Sequence, residues 1–282
     1  MPALQRIVRT GRKIVPRGWA PVVQTSARLV PQLQSYRAET ENGDRLYLDL
    51  REKMCLGIFF NQGQPHERGT EALLDYVLKP GQTFIDVGAN VGFYARTASS
   101  LVGGSGHVHA FEPLPAAYRL LRMNTRELNN VTVHQEALSD CEGIGEFFVR
   151  DHGDTSSLIF DGVGHAIQVT LTTLDKKLAQ DETEFSKADF IKIDVEGAEL
   201  KVLRGAIETI QLSQAIVYFE FLSTYAEQYG FRYADYAEFF KRLGYSLNWI
   251  NHQGEGSSVF GSNASTYLVA LPENKRYLLR EN

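Results

Sequence analysis

Cysteine is almost absent from this chain. Cys55 and Cys141 are the only two, and they show no CxxC spacing. A disulfide scaffold and a cysteine-built metal cluster are therefore excluded. Long apolar runs are absent as well, since no stretch approaches the ~18 residues that a membrane-spanning helix requires. Glycine and proline, at 24 and 9 of 282 residues, are too few for a collagen. What is present is ordinary globular usage: 43% hydrophobic and 22% charged residues exclude a disordered chain and fit one large α/β domain with a short arm.

The net charge of −5 hides an asymmetry. Residues 1–40 carry seven basic side chains against the single acid Glu39, a net of +6, which leaves −11 for the remainder. An acidic body argues against broad nucleic-acid binding, and no nucleic-acid partner is expected. In the basic segment, Leu4, Ile7, Val8, Ile14 and Val15 share one helical face, with Arg6, Arg9, Arg12 and Lys13 mostly elsewhere. Such a helix can lie on an anionic membrane surface, so peripheral membrane contact through residues 1–20 is one expectation; the blander one is a solvated or domain-packed helix. The expected organisation is an arm over residues 1–35 and a domain over 36–282, in a cytoplasmic protein for which membrane association through the arm is one of two readings. Residues 36–60 read as short strands, with Leu46, Leu48 and Leu50 alternating and Asn42-Gly43 as a turn. Residues 67–79 read as a helix closed by Lys79-Pro80-Gly81.

From residue 83 strands and helices alternate. Strands are expected at 83–87, 107–111, 131–135, 190–194 and 215–221, and two more near 245–250 and 266–271. Helices are expected at 91–101, 115–128, 198–210 and 224–243. This alternation implies a mostly parallel sheet covered on both faces, with ligands bound beyond the carboxyl ends of its strands. The residues at those ends are Asp86–Phe93, Glu112, Glu136–Leu138, Asp194–Glu199 and Glu220.

The first of these segments, Asp86-Val-Gly88-Ala89-Asn90-Val-Gly92-Phe93, follows a strand and opens a helix. Its glycines permit a sharp turn and close ligand approach. Glu112, ending the next strand, is placed to accept the hydroxyls of a ribose. The loop is GxxxG, not the GxGxxG of dinucleotide sites, and a carboxylate at Asp86 disfavours a pyrophosphate while suiting a cation. S-adenosylmethionine carries a sulfonium, an ammonium and a ribose. The alternative is a tight turn with Asp86 as a helix N-terminal carboxylate.

Phe84-Ile-Asp-Val-Gly-Ala-Asn-Val-Gly-Phe-Tyr94, Ala110-Phe-Glu-Pro113 and Ile191-Lys-Ile-Asp-Val-Glu-Gly-Ala-Glu199 together resemble the FkbM family of S-adenosylmethionine-dependent methyltransferases. The resemblance runs from about residue 40 to about 222. It implies the class I (Rossmann-like) methyltransferase fold, a seven-stranded, mostly parallel sheet with helices on both faces and one antiparallel strand, here preceded by a helical and β arm. It implies methyl transfer, usually to a hydroxyl of a sugar, glycan or polyketide-type acceptor. By the same resemblance Asp86, Gly88, Asn90 and Gly92 hold the methionine portion of the donor, Ala89, Phe93 and Tyr94 belong to the same cofactor site, Glu112 holds the ribose, Pro113 flanks the adenosine, and Ala137 and Leu138 border adenine. Asp194 and Glu196 face the methyl group and acceptor, and Glu67 lies in a region that folds over the cofactor.

An alcohol acceptor must lose a proton, for which Asp194, Glu196 and Glu220 are the candidate acids on the rim. Glu199 reads either as a fourth acid there or as a helix-end charge. No metal ligand set is assigned, although several acids on one rim leave Mg²⁺ open. His107, His109 and His134 read as structural. His152, in Asp151–Ser157, reads equally as a substrate-loop residue or a hairpin turn. The aromatic residues of 218–245 read mainly as core. N-methylation, a nicotinamide oxidoreductase and a noncatalytic binding protein are the competing readings. The oligomeric state is not readable.

Overall fold

In the computed structural model of the protein, residues 19–39, 45–60, 68–149, 165–181, 186–250, 256–257 and 267–278 are described. The expected helix over residues 4–15, Glu67, His66, His152 with its loop, and His252 lie outside the described residues. The chain forms two compact units, residues 1–66 with 150–154, and residues 67–149 with 155–282.

In the first unit, α1 (Trp19–Leu29) leads through a 3-10 turn at Pro31–Ser35 into β1 (Tyr36–Glu39) and β2 (Arg45–Leu48), an antiparallel pair with Tyr36 opposite Leu48. The expected alternation buries Leu46 and Leu48. The second half of 36–60 departs from the expected strands and forms α2 (Lys53–Phe60). A short apolar run such as Met54–Phe60 fits either period. The decision comes from Asp49, whose carboxylate accepts the Arg51 amide at 3.0 Å, while its carbonyl accepts the Glu52 amide at 3.0 Å; that turn starts a helix.

The second unit begins with α3 (Arg68–Val77) and then alternates as expected: β3 (Thr83–Val87), α4 (Phe93–Val102), β4 (His107–Phe111), α5 (Pro115–Thr125) and β5 (Val131–His134). A three-stranded side sheet follows, made of β6 (Ala137–Leu138), β7 (Gly143–Val149) and β8 (His165–Thr172). The chain returns through α6 (Leu174–Ala179) to β9 (Phe190–Ile193), α7 (Glu199–Arg204), α8 (Ile207–Ser213) and β10 (Ile216–Glu220). It continues with α9 (Ser223–Ala226), α10 (Tyr233–Arg242), β11 (Tyr245–Ile250), the two-residue β12 (Gly256–Ser257) and β13 (Tyr267–Pro272).

The main sheet has the order β12-β11-β13-β10-β9-β3-β4-β5. β10, β9, β3, β4 and β5 run parallel, and β13 lies antiparallel between β11 and β10. Apart from the short edge strand β12, this is the expected seven-stranded sheet with one antiparallel member.

Two of the expected long helices are broken. In 198–210, α7 ends and α8 restarts because Asp175, on α6, accepts the Glu208 and Thr209 amides at 3.1 and 2.8 Å. That carboxylate satisfies amides at a new helix start that the local pattern does not announce. In 224–243, Gly230 at φ +78° ends the first piece, and Asp235 accepts the Arg232 amide at 2.7 Å to begin α10.

Alternation along each strand builds a core on both faces. On one face Phe84, Val108, Phe190 and Tyr218 pack with Leu74, Ala95, Ala98 and Leu121 of α3, α4 and α5. On the other, Ile85, Val87, Ile191, Ile193, Val217 and Phe219 pack with Leu203, Ile210, Tyr236 and Phe240. Each such buried side chain contributes about 1.5–3 kcal/mol. The aromatic residues Phe219, Tyr236 and Phe240 are thus core, as the spacing suggests, with ring centroids 5.5 and 5.7 Å from Phe219. Among the described residues no helix is long and apolar enough to cross a membrane.

Candidate functional site

The carboxyl ends of β4, β3, β9 and β10 lie side by side and bring Glu112, the Gly88 turn, Asp194 and Glu220 to one edge of the sheet. The turn after β3 is held by its own backbone. The Gly88 and Ala89 amides both donate to the Phe111 carbonyl at 3.0 Å, and the Gly92 amide donates to the Ala89 carbonyl at 2.8 Å. Gly88 has φ +78°, and a Cβ there would stand 2.0 Å from the Asp194 carbonyl oxygen. Only glycine lets these two strand ends approach so closely. Asn90 also has a left-handed backbone, at φ 49°. Phe93 and Tyr94 open α4, half-buried and edge to face at 5.3 Å.

Glu112 is buried, and each of its oxygens accepts one backbone amide: Oε2 from Asn90 and Oε1 from Leu114, both at 2.9 Å. It therefore ties the glycine turn to the segment carrying the half-buried Pro113. Burial pushes its carboxyl up to about 7, against the two amides, which favour the charged form. Each oxygen keeps one free acceptor position, which matches a pair of neighbouring hydroxyls such as a ribose presents.

Asp86 sits deeper than its sequence position suggests. It is 0% exposed, and neither oxygen takes a hydrogen bond of ordinary length. Its support is the Lys192 ammonium, 3.7 Å from Oδ1, and more weakly the Ala95 amide. Burial raises its carboxyl to about 6. Lys192 also donates to Asp194 Oδ2 at 3.2 Å, and its ammonium lies 5.0 Å from the centre of the Tyr94 ring. The buried ammonium thus compensates part of the negative charge that the sequence alone assigns to this crevice. The partly exposed Asp194 carboxylate carries that charge to the edge.

The loop after β9 is shaped by Glu199, which is buried and accepts the Gly197 amide at 3.0 Å and the Val195 amide at 3.3 Å. It thus closes the loop on itself, a role that neither expected reading, rim acid or helix-end charge, describes. Burial raises this carboxyl to about 7. Between those amides Glu196 is half-buried with a left-handed backbone at φ 56°. Glu220 ends β10, half-buried, opposite Tyr267 of β13. Ala137 and Leu138 are buried in β6, paired with Leu171 and Thr172.

The three strand histidines form a ladder across two neighbouring strands. His109 Nδ1 lies 3.3 Å from His134 Nε2, His109 Nε2 lies 3.4 Å from Asp181, and His107 meets Thr132 at 2.8 Å. Burial, with help from His109 and Lys177, pushes His134 down to about 3, so it stays neutral. Among the described residues no cluster of three or more His, Cys, Asp or Glu is placed to hold a metal ion.

Lys192 is the residue that motif reading passed over. It was visible in the sequence as the one charged residue in the strand Phe-Ile-Lys-Ile, all four of whose residues are buried. A lysine is rarely fully buried without a partner.

Fit to the donor's parts can be judged on these groups. An anchored carboxylate with two spare acceptor positions suits the ribose, and a sealed and a partly exposed carboxylate sharing one ammonium leave a net negative charge for a cation. Sheet, turn and carboxylates together define a class I methyltransferase fold of the S-adenosylmethionine-dependent kind. The family model described as the methyltransferase FkbM domain matches residues 86–247, and the chain belongs to that family. It is 30% identical over 131 residues to the hexuronic acid methyltransferase AglP of Haloferax volcanii, a match covering 45% of this chain and 50% of that protein. The chain thus spans about half the length of this curated relative. Among solved structures it is similar to the methyltransferase FkbM from Methylobacillus flagellatus, at TM-score 0.45 and 16% identity, covering 89% of this chain and 60% of the other. It is also similar to a putative rRNA-methylase from Clostridium thermocellum, at TM-score 0.46 and 12% identity, covering 76% and 95%.

Proposed function

We propose that the protein transfers a methyl group from S-adenosylmethionine to a hydroxyl oxygen of a sugar, within a glycan or on a small glycoside. The observation that carries this reading is the edge itself: Glu112, locked by two backbone amides, beside the Gly88 turn and the Asp194 carboxylate. Family membership supports the donor, and the likeness to a hexuronic acid methyltransferase supports a sugar acceptor.

The donor, when bound, supplies a methyl carbon already activated by a sulfonium. What this chain contributes is mostly alignment. Glu112 accepts the ribose hydroxyls. The backbone of Gly88–Asn90 allows close approach. Asp194 takes the proton from the acceptor hydroxyl as the oxygen attacks, a contribution of typically ~10²–10⁴-fold. Glu196 and Glu220, on the same edge, orient the acceptor.

Calorimetric titration with S-adenosylmethionine, S-adenosylhomocysteine and NAD tests the donor, and binding of NAD alone overturns the reading. Labelled-methyl transfer to hexuronic-acid-containing oligosaccharides, followed by mass spectrometry, tests the acceptor. Label on a carboxylate or amine in place of a hydroxyl would correct the reaction class.

A further inference from the structure

Lys192 stands in the middle of β9, directly opposite Asp86 in the parallel register, and 1% of its surface is exposed. Adjacent parallel strands lie about 4.8 Å apart, and alternation puts Asp86, Lys192 and Asp194 on one face of the sheet. The ammonium is shared. It donates to Asp194 Oδ2 at 3.2 Å and stands 3.7 Å from Asp86 Oδ1. Across from it, α4 presents the Tyr94 ring, 5.0 Å from the nitrogen to the ring centre. On the other flank β10 presents the buried Tyr218, the register partner of Lys192, whose hydroxyl is bonded to Thr70 at 2.7 Å. Glu112 is the next carboxylate along the edge, close enough for Asp86 and Asp194 to raise its affinity for a proton.

A buried charge set of this kind is a poor way to gain stability, because desolvating the ions offsets their attraction. Two apolar residues would fill the same space more favourably. A lysine is also a flexible stem on which to hang a hydrogen bond, but here strand register and the Tyr94 face leave the ammonium little freedom. Its two partners differ. Asp86 is sealed, whereas the Asp194 side chain is 27% exposed at the edge. One end of the shared charge is fixed in the core, and the other reaches the site.

Resting on the methyltransferase reading above, we propose that Lys192 is a positioning residue, holding the Asp194 carboxylate oriented at the site edge, where it meets the donor's positive charge. Removing the ammonium alone leaves the sealed Asp86 without a counter-charge, so a single apolar variant confounds positioning with folding. Asp86→Asn removes that confusion. In it Asp86 no longer competes for the ammonium, and the double variant Asp86→Asn/Lys192→Met removes the ammonium without stranding a buried acid.

The test compares S-adenosylmethionine and S-adenosylhomocysteine binding by calorimetry at pH 7.5 in wild type, Asp86→Asn and the double variant. We expect the double variant to bind S-adenosylmethionine at least ~10-fold more weakly than Asp86→Asn at pH 7.5. Affinity for the product, which lacks the sulfonium charge, should change less than about threefold. Identical donor affinity in the two variants, or an equal loss for donor and product, would show that Lys192 only neutralises Asp86, and would overturn the proposal. Should Asp86→Asn fail to fold, Lys192→Gln, which keeps a donor but no charge, is assayed against wild type, and wild-type behaviour overturns the proposal equally. Wild type that takes up no S-adenosylmethionine refutes the enzyme reading itself, and this inference falls with it.

Discussion

Gly88 and Asp194 are 106 residues apart in sequence, yet a single methyl group on Gly88 would come within 2.0 Å of the Asp194 carbonyl oxygen. The Asp194 amide also donates to the Val87 carbonyl at 3.0 Å, so β3 and β9 are stitched together at the point where their loops leave the sheet. Gly88→Ala must therefore part those strands and also hold a left-handed backbone at φ +78°. Urea unfolding should show a loss of at least about 3 kcal/mol, or no folded protein. A change below about 1 kcal/mol would mean that the two loops separate freely.

Glu112 accepts two amides pointing from opposite sides. In Glu112→Gln one of them meets an NH₂ group in place of an oxygen. One of the two ties, to Asn90 of the glycine turn or to Leu114, is then lost, and the ribose loses an acceptor. Calorimetry should show S-adenosylmethionine bound at least ~30-fold more weakly, with an unchanged circular dichroism spectrum. Affinity within threefold of wild type would remove Glu112 from the donor site.

Asp194→Asn keeps the shape of the site and removes the proton acceptor. Turnover in the labelled-methyl assay should fall by at least ~10²-fold, and S-adenosylmethionine affinity by about tenfold, while S-adenosylhomocysteine affinity stays within about threefold. Wild-type rates in this variant would take Asp194 out of the proton transfer.

Glu199, Glu112 and Asp86 share a pH signature. Each buried carboxyl is raised above its ordinary value, to about 7, 7 and 6. The folded state thus binds more protons than the unfolded chain between the two values. The stability these groups give is full below about pH 4 and is lost as pH rises through 6 to 7. His134, held down to about 3, acts in the opposite sense between pH 3 and 6.5. The contribution of one acid is isolated by Glu199→Gln, whose side-chain oxygen can still accept the Gly197 amide. The variant should match wild type near pH 5 and become the more stable of the two by pH 8, by on the order of 1–3 kcal/mol. Denaturant melts at both pH values check the sign; a difference that does not grow with pH would mean that Glu199 is not buried in solution.

Much of the second unit was legible because it is local. The run Thr-Phe-Ile-Asp-Val ahead of a glycine turn reads as a buried strand, and β3 is that strand. What escaped reading depended on partners from elsewhere. The split between α7 and α8 rests on Asp175, more than 30 residues upstream. The helix at 53–60 rests on a turn built by Asp49, inside a stretch whose apolar run suits either period. The same division runs through the site: the carboxylates announced themselves by standing at strand ends, whereas Lys192 sat unremarked inside a motif.

The order of residues along the chain was enough to fix the alternating strands and helices, the glycine turn and the acids at the strand ends. Each of these follows from side-chain periodicity and backbone preference within a dozen residues. Which strands became neighbours was decided only by tertiary packing, when the two faces of the sheet were covered. That register set Asp86 opposite Lys192 and so turned two remote charges into one shared ammonium. Coulombic attraction and desolvation depend on distance through space and on burial, and neither is written in the spacing of a sequence.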